Sequence, residues 1–243
     1  MSMKKIFALL FVFFIGNLCH SQTVFISKAK IEFERKVNVW ASLSGDFADQ
    51  LKKSIPQYKS DYFNYEFEGK QSIYKPGRES DSKSGFFGSP ANDNVVFSDF
   101  ISGKYIAQKS VFEKSYLIED SLRKAVWKFT NDFREIAGFN CRRATTIIMD
   151  SIFVVAFYTE EIMIPGGPES FNGLPGMILG LVINRLHSTW YATKVEINDV
   201  NIKEIAPPAR GTKITNKELN ETLKSSFQNW GKGAEKNIWS IMI

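Results

Sequence analysis

Apolar residues recur at every second position in several stretches of this chain, which fits strands with one buried face better than helices. Ile31, Phe33, Val37 and Val39 alternate with Glu32, Glu34, Lys36 and Asn38, and Phe63, Tyr65 and Phe67 repeat the pattern. Successive side chains of a strand point to opposite faces, so this period of two predicts half-buried strands. Short β-rich runs follow at 95–101, 105–112, 116–118, 125–129, 143–149 and 152–159, with turn residues between them and no helical period. Strands this closely spaced predict an antiparallel meander. Asp150 and Ser151 form the turn of one hairpin, and runs 177–183 and 189–197 pair through a turn at 184–188. The expected fold is mainly β: a curved antiparallel meander sheet, shaped as a bowl or half-barrel.

Two helices are expected beside the sheet. Asp46 opens a stretch with Phe47, Leu51 and Ile55 at four-residue spacing, closed by Pro56, which predicts one short amphipathic helix in the N-terminal half. Thr215 and Glu218 have capping-box spacing, and Leu219, Leu223 and Phe227 supply an apolar stripe, so a C-terminal helix is expected over 216–230. Residues 75–94 are Gly, Ser, Pro and charge, which predicts a long exposed loop. No repeat or linker divides the remainder, so residues 22–243 are expected to form one β-rich domain.

The start of the chain predicts export. Lys4 and Lys5 precede an apolar run over 6–15, followed by small and polar residues, as in a secretory signal peptide. That run is shorter than the roughly 20 apolar residues needed to span a bilayer. Cleavage after Ser21 puts Cys19 and Ser21 at the two small-residue positions, making 1–21 the signal peptide. Lipid modification of Cys19 is the competing reading, disfavoured because Leu18 stands where a lipobox carries a small residue. The mature chain is then periplasmic, outer-membrane-associated or extracellular, with no transmembrane span. Its formal charge is +5 less the two leader lysines. That balance argues against nucleic acid as a partner, which calls for clustered basic residues.

Gly and Pro are densest over 165–176, directly before the apolar run at 177–183. Glycine admits positive φ and proline fixes φ near −65°, so the segment reads as a shaped turn. Gly166, Gly167, Pro168, Gly173, Leu174, Pro175 and Gly176 are its structural residues, with Leu174 and Phe171 as anchors to the core. A phosphate cradle is poorly matched, because no Lys-Ser/Thr pair follows the glycines and a strand, not a helix, comes next. The run Gly173-Leu174-Pro175-Gly176-Met177-Ile178 resembles the segment for which the GLPGLI family is named, with Met177 replacing a Leu. The resemblance extends to Gly138, Cys141, Arg143 and Ala144, to the acidic-apolar-Pro-Gly-Pro approach over 161–168, and to Pro207, Pro208, Gly211 and Thr215. It implies an exported protein of Bacteroidota-type bacteria without established activity. The expected bowl resembles the fold of periplasmic lipoprotein carriers and the accessory domain of some secreted glycan-cleaving amidases, an analogy of fold alone.

Candidate chemistry is sparse. Cys141 and His187 are the one thiol and the one imidazole after the leader. A nucleophile pair is arithmetically open, against the plainer reading of Cys141 as a buried small apolar residue. One His and one Cys build no zinc site, so neither metal nor cofactor is expected. Glu160 and Glu161 are adjacent and would diverge on a strand, which leaves one of them open as a lone acid at a cleft mouth, with surface solvation the more ordinary reading of both. Tyr158, Trp190, Phe171 and Glu161 are the candidate binding residues, for a glycan or an acyl chain on an aromatic concave face, with core packing as the alternative. The leading functional reading is a non-catalytic binding or chaperone-like module, with an outer-membrane protein as a further possible partner. The rival is a secreted hydrolase or an accessory domain of glycan or peptide degradation.

Overall fold

A computed structural model describes residues 26–43, 45, 48–80, 91–111, 113–197, 200–229 and 233–243. The leader expected over 1–21 and the middle of the loop expected over 75–94 lie outside the described residues. Strand β1 (Lys28–Asn38) is followed by a 3-10 turn (Trp40–Ser42), helix α1 (Ala48–Ser54), and strands β2 (Tyr58–Glu68) and β3 (Gln71–Pro76). Strands β4 (Val95–Asp99), β5 (Lys104–Val111), β6 (Lys114–Ser121), β7 (Lys128–Ile136), β8 (Phe139–Ile148) and β9 (Ile152–Thr159) continue the meander. After the Gly/Pro segment come β10 (Met177–Ile183), β11 (Ser188–Glu196), the short β12 (Thr212–Lys213), and helices α2 (Asn216–Phe227) and α3 (Gly233–Met242).

These strands form one twelve-stranded sheet in the order β12-β6-β5-β4-β3-β2-β1-β11-β10-β9-β8-β7. Two runs of consecutive strands are joined where β1 pairs with both β2 and β11. Every pairing is antiparallel except the parallel contact of β12 with β6. The sheet curls, bringing residues of β5 and β6 to line the same cleft as residues of β7, β8 and β9. The expected open half-barrel is the observed architecture.

The period of two fixes which residues face inward. Ile31 and Phe33 on β1 oppose Tyr65 and Phe63 on β2, and all four are essentially buried. Phe63 stacks on Tyr74 of β3 with ring centroids 5.0 Å apart. At the turn between β8 and β9, Met149 and Asp150 have φ of 47° and 60°. Two successive left-handed residues are what a type I′ turn requires, so the central pair is Met149-Asp150, one residue earlier than the expected Asp150-Ser151.

The concave side is filled by the chain itself. Segment 162–176 folds into the bowl and closes on its own backbone, through Gly173 N to Pro165 O at 3.0 Å, Met177 N to Ile162 O at 2.9 Å and Ile178 N to Gly166 O at 2.8 Å. Leu219, Leu223 and Phe227 of α2, with Ile241 and Ile243, complete the core.

Local differences from the sequence reading have physical causes. The expected loop over 75–94 begins later, because Lys75 and Pro76 continue β3 opposite Asn64 and Phe63. Its far end is not exposed: Ala91 and Asn94 are buried, Asn94 by a hydrogen bond to Glu169. The C-terminal helix ends at Phe227, and α3 follows as a second helix that the sequence reading did not separate. Helix α1 forms with Leu51 exposed and Ala48 buried, while Asp46 and Phe47, expected to open it, lie outside the described residues. The strand expected over 125–129 is displaced into β7, after an extended connection at 122–127.

Candidate functional site

The rim where the two ends of the sheet approach is an open cleft of about 830 Å³. One wall comes from the end of β6 and the following connection. The other comes from Thr145 to Ile148 on β8 and Phe153 on β9, with Asn216 of α2 closing one side. Inward alternation on β5 and β6 places Tyr105 opposite Asp120. The capping box then seats Asn216 above both: Thr215 Oγ1 accepts from Glu218 N at 3.2 Å, and Glu218 Oε2 accepts from Thr215 N at 2.9 Å. Asn216 Nδ2 donates to Tyr105 Oη at 2.8 Å and to Asp120 Oδ2 at 2.6 Å. The Asn216 amide, with the Ser121 N–H, holds the Asp120 carboxyl below the usual range, so it is a charged acceptor at neutral pH. Burial raises the Tyr105 hydroxyl pKa, keeping it protonated.

The same cleft also carries an apolar rim. Val126, Ile147 and Phe153 are 81%, 63% and 45% exposed. An amide, a carboxylate and a phenol beside exposed hydrocarbon and an aromatic ring form an amphipathic surface suited to a ligand with hydroxyls on one side and C–H groups on the other.

The residues singled out in the sequence scatter. Tyr158 is 1% exposed and donates to Glu160 Oε1 at 3.4 Å, its ring edge-on to Phe129. Glu161 is exposed and accepts from Thr159 Oγ1 at 3.4 Å. Phe171 is buried in the segment that fills the bowl, with the Arg123 guanidinium 5.6 Å from its ring centroid. Trp190 lies elsewhere, on the wall of a second cavity at another part of the bowl. These four do not converge on one site. Gly166, Gly167, Pro168, Leu174 and Gly176 are buried, whereas Gly173 and Pro175 are exposed.

Cys141 has no exposed surface, and burial raises its thiol pKa to about 12, with Glu161 adding to the shift. It neighbours Arg142, which pairs with Tyr158. His187 follows the end of β10 at Ile183, which pairs with Val154. Tyr158 and Val154 are four residues apart along β9, roughly 13 Å at strand rise. A Cys141–His187 nucleophile pair is therefore not assembled. Among the described residues no group of three or more His, Cys, Asp or Glu side chains is placed to hold a metal ion.

The sequence reading missed the polar residues set into the core, although some had a signal. Arg35 stands at the apolar parity of β1 between Phe33 and Val37, Asp61 at that of β2, and Lys109 at that of β5. A charge breaking an otherwise apolar alternation marks a buried polar group, which must find partners inside.

With this geometry established, comparison with known proteins places the chain. Residues 97–221 match the family described as N-glycanase peptide, N-terminal domain, and the chain belongs to that family. Two crystal structures of PNGF-II, in space groups C2 and P21, share its fold at 14% identity each, with TM-scores of 0.51 and 0.52. They cover 87% and 84% of this chain. The chain spans only 32% and 34% of theirs, about a third of each. No curated protein sequence matches it.

Proposed function

We propose that this chain is a non-catalytic, glycan-associated binding module acting outside the cytoplasm, in the manner of an accessory part of glycan-degrading proteins. Membership of a family named for an N-glycanase supports the glycan association. The observation that carries the reading is the cleft, an open groove lined both by the hydrogen-bonded Asn216, Asp120 and Tyr105 and by exposed Phe153. Sugars present hydroxyls around apolar ring faces, and such surfaces are read by paired polar groups beside an aromatic ring. The resemblance of residues 173–178 to the GLPGLI family, the leader over 1–21 and the single unit over 22–243 belong to the same reading. Among the described residues no helix is long and apolar enough to cross a membrane.

Calorimetric titration with N-glycan-derived oligosaccharides tests it, with a fatty acid as the acyl-chain probe. Saturable oligosaccharide binding is expected, weakened roughly tenfold by Asn216→Ala and by Phe153→Ala, each removing one contact of about 1.4 kcal/mol. Absence of oligosaccharide binding, or binding untouched by both substitutions, overturns the reading, and binding of the fatty acid alone transfers the groove to lipid.

A further inference from the structure

The second cavity, about 660 Å³, opens where β1, β11 and the turn after β10 meet α3. It is distinct from the cleft, with no lining residue in common. Arg35 of β1 and Trp190 of β11 are register partners, directly opposite each other on the concave face. Both are 3% exposed and both line this cavity. Each has a buried N–H with no hydrogen-bond partner among the described residues: Arg35 Nε and Trp190 Nε1.

Both terminal nitrogens of the Arg35 guanidinium are engaged. Nη2 bonds Asp61 Oδ2 at 2.9 Å and the Asn92 amide oxygen, Nη1 bonds Ala91 O at 3.3 Å, and the plane lies 5.0 Å from the Phe63 ring centroid. The group is thus locked with Nε left over. The Trp190 indole N–H lies near the Tyr74 hydroxyl and bears on its ionisation without reaching hydrogen-bond geometry. Buried donors without acceptors are rare in native proteins, because each forfeits its hydration with nothing in return. Two of them side by side, on a cavity large enough for a small molecule, point to an acceptor that the described residues do not provide in hydrogen-bond geometry.

The surrounding charge says what kind of acceptor. Lys59, Arg185 and Lys236 line the same cavity as Arg35. Asp61 binds both Arg35 and Lys59, at 2.9 and 3.2 Å, and so offsets only one of those two charges. Two side-chain carboxylates line the cavity itself. Glu235 is exposed, and Glu169 is buried against Asn94 and Tyr74. Burial raises the pKa of Glu169, with Arg35 and Lys109 opposing, which favours its neutral form more than solvent would. His187, also on the wall, is kept neutral by burial and by Lys236.

We infer that this cavity is a binding site for a small oxyanion, a carboxylate, sulfate or phosphate group, received by Arg35 Nε and Trp190 Nε1. This site stands independently of the glycan reading of the cleft. The oxyanion is either free or carried on an acidic sugar.

Isothermal titration of the full chain at constant ionic strength tests it, with sulfate, phosphate, glucuronic acid and N-acetylneuraminic acid as probes and chloride and glucose as controls. At least one oxyanion is expected to bind saturably, while chloride and glucose do not. Tighter binding of the sugar acids than of sulfate identifies the source as an acidic saccharide, and the reverse order identifies a free anion. Trp190→Phe keeps the ring and removes the N–H, and should weaken binding roughly tenfold without changing the circular dichroism spectrum. Lys236→Ala, at the more accessible side, should weaken binding and flatten its salt dependence. Failure of every oxyanion to bind above the chloride control, or equal affinity in Trp190→Phe and the parent, overturns the inference. A crystal soaked in the best probe that shows only water at the two nitrogens does the same.

Discussion

A β-carbon placed on Gly176 would lie 2.0 Å from the carbonyl oxygen of Thr159. The end of the Gly/Pro segment and the end of β9 thus touch backbone to backbone, and hydrogen is the one side chain that fits. Gly176 also has φ of 158°, near the extended region, so the requirement is close approach more than backbone handedness. Gly173 is the opposite case. Its φ is 90°, while the nearest side-chain atom to an added β-carbon is Trp127 Nε1 at 3.7 Å. Gly176→Ala should therefore destabilise more than Gly173→Ala, whose penalty is about 1 kcal/mol for a strained φ. Urea midpoints of the two variants check the order, and equal midpoints would sink the distinction.

Leu174, 1% exposed between those glycines, is with Phe171 one of the buried apolar residues of the segment that fills the bowl. Leu174→Ala should lower unfolding free energy by about 2–5 kcal/mol, the range for a buried leucine that leaves a cavity. Chemical denaturation measures this. A loss under ~1 kcal/mol would mean the segment is not anchored there.

Lys109 is 3% exposed, and its ammonium donates to Ile241 O at 2.6 Å. Burial lowers its pKa to about 8, with Glu169 opposing and Arg123 assisting. Below pH 8 the folded and unfolded chains both hold the proton. Between pH 8 and the ordinary lysine value of 10.5 the unfolded chain holds more, so this contribution to stability rises with pH, by at most about 1.4 kcal/mol per unit. Cys141 and Tyr74, whose pKa values are raised by burial, act in the opposite sense at higher pH. The comparison is therefore the parent against Lys109→Met. Their stability difference should move in the parent's favour from pH 7 to 9, and a flat difference would refute the assignment.

Cys141, with its thiol pKa near 12, should resist alkylation in the folded protein. At pH 8 iodoacetamide should label it at least about a hundredfold more slowly in buffer than in denaturant, since the thiolate is the reactive form. Comparable rates in the two conditions would show an accessible, acidic thiol instead.

The helix start at Thr215 was legible to the residue, because a capping box is local: hydroxyl, carboxylate and the amides they satisfy lie within one turn. Thr215→Ala should cost about 1 kcal/mol, measurable by thermal melting, and it should disturb the cleft through Asn216. No change in melting would show that the helix is held by packing alone.

The sequence by itself determined the mainly β fold, the inward faces of β1 and β2, the hairpin at Asp150 and the start of α2. Each follows from contacts between residues near in the chain or from a strict period of two. Where the strands curl, what fills the bowl and which polar groups meet were decided by tertiary structure alone. Arg35 and Trp190 are opposed only because β1 pairs with β11, and Asn216 reaches Asp120 only because α2 docks against β6. No local pattern encodes those pairings. They arise when strands 155 positions apart in the chain are brought into register, and both cavities exist because the sheet, in closing around segment 162–176, leaves buried donors and open walls where its own side chains run out.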